Sequence, residues 1–159
     1  MTERRGFAPI ALVLASLLLL LTWLGGHGWE PTLAVESYAV DSAAFTARFE
    51  AQLAAHATGE TIGTMSVVRP PPGDVVVRVR RWEFSPALEL RPGQTYRLHL
   101  LAEDVVHSAA IGDAEELLVP GVVKVVTLVT PPSGRVRIQC GEYCGLGHTK
   151  MIGSIEIVR

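Results

Sequence analysis

Residues 7–24, FAPIALVLASLLLLLTWL, carry no charged side chain, and this run constrains the chain more than any other feature. As a helix it rises roughly 27 Å, about the hydrocarbon thickness of a bilayer. Arg4 and Arg5 precede it, and Trp23 and Trp29 fall at its far end, where indoles favour the membrane interface. The pattern predicts a cytoplasmic N-terminus over 1–6, a transmembrane anchor over 7–24, and everything beyond about residue 26 outside the cytoplasm. The competing reading is a cleaved signal peptide. Its apolar core is about 7–15 residues followed by a small-x-small site, whereas this longer run leads into Trp-Leu-Gly-Gly-His-Gly-Trp. Both readings export the remainder.

That remainder fits one folded domain within a chain of 159 residues. A formal charge of −2 excludes a strongly basic nucleic-acid binder, so no nucleic-acid partner is expected, and two cysteines cannot form a disulfide framework. Residues 25–73 read as an exit loop, a short amphipathic helix and a Pro-rich linker. Gly25, Gly26, Gly28 and Pro31 mark the loop. Asp41 caps a helix predicted over 42–56, with Phe45, Phe49 and Leu53 on one face and Gly59 as its stop. Pro70, Pro71 and Pro72 keep 67–74 extended.

From Asp74 the pattern becomes strands. Val75, Val77 and Val79 alternate with Val76, Arg78 and Arg80; Tyr96, Leu98 and Leu100 alternate with Arg97 and His99. VVKVVTLV (122–129), RVRIQC (135–140) and IGSIEIVR (152–159) follow Pro/Gly turns or close the chain. Short β-rich runs between such turns predict an antiparallel sandwich or barrel over 74–159.

One segment carries chemistry: Cys140-Gly-Glu142-Tyr-Cys144-Gly-Leu-Gly-His148-Thr-Lys-Met151. Soft thiolate and thioether donors with imidazole favour copper over hard cations, and His107 is the candidate for a further ligand from elsewhere. Three plainer readings stand beside it. A Cys140–Cys144 disulfide leaves His148 and Met151 unexplained. A closed zinc site of Cys140, Cys144, His148 and His107 gives Met151 no task. A mononuclear blue-copper site leaves one cysteine over. Trp82 reads either as a sandwich-core residue or as functional, and Glu103 and Asp104 as a solvated turn. His27, His56 and His99 are expected at surfaces or interfaces rather than as ligands. No nucleophile–base pair, phosphate-cradling loop or paired-carboxylate site is present.

The pattern Cys-x-Glu-x-Cys-x3-His-x2-Met, preceded some thirty residues earlier by Asp-Val-x-His, resembles the dinuclear copper A domain of cytochrome c oxidase subunit II, in a short single-helix form. The resemblance covers about 74–159. It implies an all-β fold, a Greek-key cupredoxin-like β-sandwich preceded by one N-terminal transmembrane helix. It also implies two copper ions bridged by Cys140 and Cys144, with His107 and His148 as terminal ligands, Met151 as a weak ligand and Glu142 giving its backbone carbonyl. The Glu142 side chain would reach a magnesium ion at the interface with subunit I. Trp82, in Arg-Arg-Trp-Glu-Phe, matches the residue that receives electrons from cytochrome c, and Glu103 and Asp104 match an acidic pair that steers a basic donor. Two departures fall near the partner-facing side. His107 is followed by Ser108-Ala109-Ala110 without the usual aromatic. The loop to Pro120-Gly121 is about two residues short and ends in Leu117-Leu118-Val119 in place of an acidic residue.

The function implied is electron transfer within a haem-copper terminal oxidase, from cytochrome c or another small redox protein to haem in subunit I. Oxygen reduction then belongs to the partner. The chain is placed in the cell membrane, single-pass, with its C-terminal domain outside. The alternatives are the same subunit in a haem-copper nitric oxide reductase, and a membrane-tethered copper carrier.

Overall fold

The computed structural model describes residues 7–26 and 36–159; the side chains of 7, 8 and 24–26 are outside that description. Arg4, Arg5, His27, Gly28, Trp29 and Pro31 therefore lie outside the described residues. The chain divides into two units, 1–32 and 33–159. In the first, helix α1 (Phe7–Gly26) runs 20 residues. Leucine loses little rotamer freedom in a helix, which favours this conformation across the run. Its described side chains, over residues 9–23, are exposed. Among the described residues, no helix is long and apolar enough to cross a membrane. The spanning segment expected over 7–24 is therefore not shown by the structure.

The second unit is a β-sandwich with one helix on its outside. In chain order its elements are β1 (Glu36–Ala39), α2 (Ser42–His56), β2 (Ala57–Ile62), β3 (Met65–Val68), β4 (Gly73–Arg80), β5 (Glu83–Ser85), β6 (Ala87–Leu90), β7 (Thr95–Ala102), β8 (His107–Ile111), β9 (Ala114–Leu118), β10 (Val122–Val129), β11 (Gly134–Gln139) and β12 (Ile152–Ile157). One sheet has the order β1-β10-β7-β4-β5, the other β2-β3-β6-β12-β11-β8-β9.

Period-two alternation decides which side chains meet between the sheets. Val75, Val77, Val79, Leu98 and Leu100 from the first sheet share one core with Leu88, Leu90, Ile111, Ile138 and Ile155 from the second. The opposite face of the first sheet, with Val76, Leu101, Val123 and Val125, is covered by Phe45 and Phe49 of α2. Burying each aromatic there contributes about 1.5–3 kcal/mol. Asp41 caps α2 by accepting from the N–H groups of Ala43 and Ala44, and the helix ends at His56, ahead of Gly59. The turns at Pro92-Gly93 and Pro120-Gly121 put glycine at φ +65° and +84°, where a Cβ is disfavoured.

Strands also form ahead of residue 74. β1 joins the edge of the first sheet, and the β2–β3 hairpin extends the second. Metal-type donors converge at one end of the sandwich. The β11–β12 connection, 140–151, carries a short 3-10 turn over His148–Lys150. β8 pairs antiparallel with β11, so the first residue of β8, His107, lies just beyond the end of β11.

Candidate metal centre

Cys140 follows β11 directly, and its N–H donates to the Met151 carbonyl, which continues the β11–β12 ladder by one pair. That link closes the connecting loop and brings its donors inward. Cys140 Sγ lies 3.8 Å from Cys144 Sγ. It is also 3.9 Å from His107 Nδ1 and 3.2 Å from the Glu142 carbonyl oxygen. Cys144 Sγ lies 3.7 Å from His148 Nδ1 and 3.6 Å from Met151 Sδ. The structure thus brings together every donor named from the sequence. Both cysteines, His107 and Met151 are buried, and His148 is half-buried.

Around this cluster the backbone and neighbouring side chains fix the rings. His107 Nε2 meets Asp104 Oδ1 at 2.9 Å, which turns Nδ1 toward the sulfurs. Asp104 is itself held by the N–H and guanidinium of Arg81. Burial opposes ionisation of Asp104, but the N–H groups of Arg81 and Val105, the His107 ring and the Arg81 guanidinium outweigh it, keeping the carboxyl well below its usual range. Burial, then the adjacent Cys140 thiol, pushes Cys144 up to about 11. A bound cation reverses that balance, because a coordinating thiol gives up its proton.

Trp82 is 42% exposed and so is not a core residue. Its indole N–H donates to the Cys144 carbonyl at 3.2 Å, and its ring lies over Gly145 and Gly147. Beside it, Tyr143 and Leu146 are strongly exposed, Leu146 at 94%.

No family model matches the chain. Over 98 residues it is 31% identical to cytochrome c oxidase subunit 2 of Thermus thermophilus, a match covering 58% of this chain and 72% of that relative. The chain belongs to the cytochrome c oxidase subunit 2 family. A second subunit 2 relative, also from Thermus thermophilus, is likewise 31% identical over 98 residues, and the chain spans 58% of its length. Among solved structures, a haem-copper terminal oxidase dimer aligns over 97% of this chain and 98% of the matched one, at 18% identity and a TM-score of 0.53. The periplasmic domain of cytochrome oxidase subunit II from Bradyrhizobium japonicum covers 54% of this chain and 83% of its own, at 16% identity and a TM-score of 0.50. Rusticyanin from Thiobacillus ferrooxidans covers 80% of this chain and all of its own, at 17% identity and 0.51. These likenesses bear out the cupredoxin-like sandwich.

Whether this member of the subunit 2 family suits copper is decided by its own donors. Metal–sulfur bonds of about 2.3 Å spread at tetrahedral angles separate donor atoms by about 3.8 Å. The donor pairs here fall at 3.6–3.9 Å, with the carbonyl nearer. Donor atoms of His107, Cys140 and Cys144 all lie within 4.8 Å of one another. His148 falls outside that group, so the two imidazoles do not converge on one tetrahedral ion as the zinc reading requires. The donors fall into two sets that meet at Cys144: His107, Cys140 and the Glu142 carbonyl on one side, His148 and Met151 on the other. The donor chemistry fits a soft metal such as copper.

Sequence reasoning missed several supporting residues. Asp104, read as part of a solvated turn or of a donor-steering acidic pair, holds His107; its i, i+3 spacing from the histidine was the available signal. Ser108 and Glu115 reach the loop at Gly141 and Glu142, a contact that rests on strand register and has no local signature. His99, expected at a surface or interface, is 6% exposed and bonded through both ring nitrogens.

Proposed function

We propose that this chain is the electron-transfer subunit of a haem-copper terminal oxidase, relaying electrons from cytochrome c or another small redox protein to haem in subunit I. The observation that carries it is the buried Cys140–Cys144 pair, 3.8 Å apart, with His107 beside Cys140 and with His148 and Met151 beside Cys144. Two copper ions held there supply one-electron chemistry with the charge change spread over both metals. Cys140 and Cys144 would bridge, His107 and His148 would each terminate one ion, and Met151 and the Glu142 carbonyl would be weak ligands. The chain's own work is to keep these donors buried and still, which Asp104 does for His107 and the Cys140–Met151 bond does for the loop. Trp82, half-exposed and bonded to the Cys144 carbonyl, is the residue through which electrons would arrive, beside the apolar surface of Tyr143 and Leu146. The Glu142 carboxylate has no ion pair among the described residues, which leaves it free for an interface magnesium. The uncharged run over 7–24 anchors the chain once in the cell membrane, with Arg4 and Arg5 inside and the sandwich outside.

The test is to purify the complex from membranes through this chain, identify its haem subunit, and record paramagnetic resonance and turnover with oxygen and nitric oxide. The expected result is one unpaired electron shared equally by two coppers, together with oxygen consumption. A mononuclear cupric spectrum or zinc overturns the dinuclear assignment. Turnover with nitric oxide alone makes the chain a reductase subunit, and copper exchange within minutes makes it a carrier. Cys144→Ser should abolish the dinuclear signal entirely while the domain still folds; a retained signal rules out bridging by Cys144.

A further inference from the structure

The β8–β11 ladder stops at Gln139 opposite Ala110. Continued in the same register, it would set Gly141 opposite Ser108. In its place the Ser108 side chain takes over. Ser108 Oγ accepts from the N–H of Gly141 at 2.7 Å and of Glu142 at 3.0 Å, and donates to Glu115 Oε1 at 2.8 Å. Glu115 arrives from β9. It pairs with Ala110 while Leu117 pairs with Ser108, so the two side chains are diagonal neighbours on one face. Ser108 is 3% exposed, and its hydroxyl has one donor and two acceptor positions all filled. Space is reserved for this arrangement: a Cβ on Gly141 would run into the Glu115 carboxylate and crowd the Ser108 hydroxyl.

We propose that Ser108 and Glu115 are positioning residues for the metal-binding loop, a carboxylate–hydroxyl–amide clamp that fixes Cys140-Gly141-Glu142 and thereby the aim of the Cys140 sulfur and the Glu142 carbonyl. An ionised carboxylate polarises the hydroxyl and strengthens it as an acceptor for both amides. Residues 141 and 142 are themselves exposed, so water replaces the hydroxyl when it is removed. Stability therefore changes little; what is lost is position. Partners that orient ligands in this way tune metal affinity and potential. Glu115 also adds a negative charge near the centre, which favours the more positive, oxidised state.

The potential half of the test rests on the two-copper reading; the other half does not. In the copper-free full-length chain, Ser108→Ala should lose roughly tenfold in amide-exchange protection at Gly141 and Glu142, with the unfolding midpoint close to wild type. Glu115→Gln keeps an acceptor of the same shape and should hold protection within about twofold. In the copper-loaded chain both variants should retain two coppers; Glu115→Gln, which removes the charge, should raise the midpoint potential, and Ser108→Ala, which releases the loop, should shift it. Unchanged exchange in Ser108→Ala, or unchanged potentials in both variants, overturns the proposal. Should Ser108→Ala fail to fold, Gly141→Ala, which displaces Glu115, is read in the same two ways. A mononuclear wild-type spectrum defeats the two-copper reading and leaves the exchange measurement as the test of the clamp.

Discussion

At the scale of single residues, the contact between Trp82 and the loop turns on missing methyl groups. Gly145 has φ +115° and so needs glycine for its backbone. Gly147 has no such need; what it lacks is room, since a Cβ there would collide with the Trp82 ring. Gly147→Ala should therefore push the indole off the loop and weaken its bond to the Cys144 carbonyl. The expected loss is about 1–3 kcal/mol of stability by denaturant unfolding, typical of overpacking a fitted site. Copper content should stay unchanged and electron uptake from a soluble donor should slow. Uptake at the wild-type rate would remove Trp82 from the route. The donors themselves were legible in the sequence, because thiolate, imidazole and thioether at loop spacing state a chemistry without reference to the fold. The residues that aim them were less so. Asp104 sits three residues before His107, close enough to find by inspection, but Glu115 reaches Ser108 only through the register of β8 and β9.

At the scale of elements, α2 does more than cover the outer face of the first sheet. Phe45 and Phe49 pack as the i, i+4 spacing predicts, and Asp41 caps the helix. Gln52, on the same helix, was not singled out by any pattern. Its amide accepts from the Val76 N–H at 2.7 Å and donates to the Val76 carbonyl at 2.9 Å. β5 pairs with β4 only from Arg78 onward, so Val76 presents an open backbone edge at this point. Gln52 fills the place of the missing strand residue and closes an edge that would otherwise invite pairing. Gln52→Ala leaves two backbone groups without their partner, each worth about 1–3 kcal/mol when buried. The expected loss is about 2–4 kcal/mol by thermal or chemical unfolding, and a loss under a few tenths would show that water serves the edge equally well. The β2–β3 hairpin illustrates the limit of local reading. β2 is largely exposed and its register shifts between Ala57 and Thr61, so no clean alternation marks it. β3 pairs in parallel with β6, a contact that short-range periodicity cannot express.

At the scale of the whole sandwich, β1 is fastened by a chain of polar groups that runs over four elements, β1, α2, β7 and β4. Arg48 of α2 donates to the Tyr38 hydroxyl of β1, which lies 2.8 Å from His99 Nδ1; His99 Nε2 lies 2.8 Å from Asp74 Oδ1. Arg97 joins Asp74 to Glu36, at the start of β1. An ionised Asp74 only accepts, so His99 donates to it from Nε2. This network explains why His99 is buried on a strand face that its Arg97 neighbour made look solvated, and it was invisible to a reading that began the sandwich at residue 74. It also has a sign in pH. The hydrogen bond from His99, opposed by burial and supported by the charges of His99, Arg97 and Arg48, holds the Asp74 carboxyl below its ordinary 3.8. A depressed carboxyl favours the folded state whenever it is ionised, so its contribution is complete above about pH 5 and is lost as pH falls through the unfolded and then the lower folded value. Unfolding free energy should thus decline on acidification from about pH 5 to pH 3, and Asp74→Asn should flatten part of that decline. Asp74 is 53% exposed, so salt screens its charge and the difference between the two proteins should shrink as ionic strength rises. Parallel pH curves for wild type and Asp74→Asn at low salt would mean that β1 is held by its ladder with β10 alone.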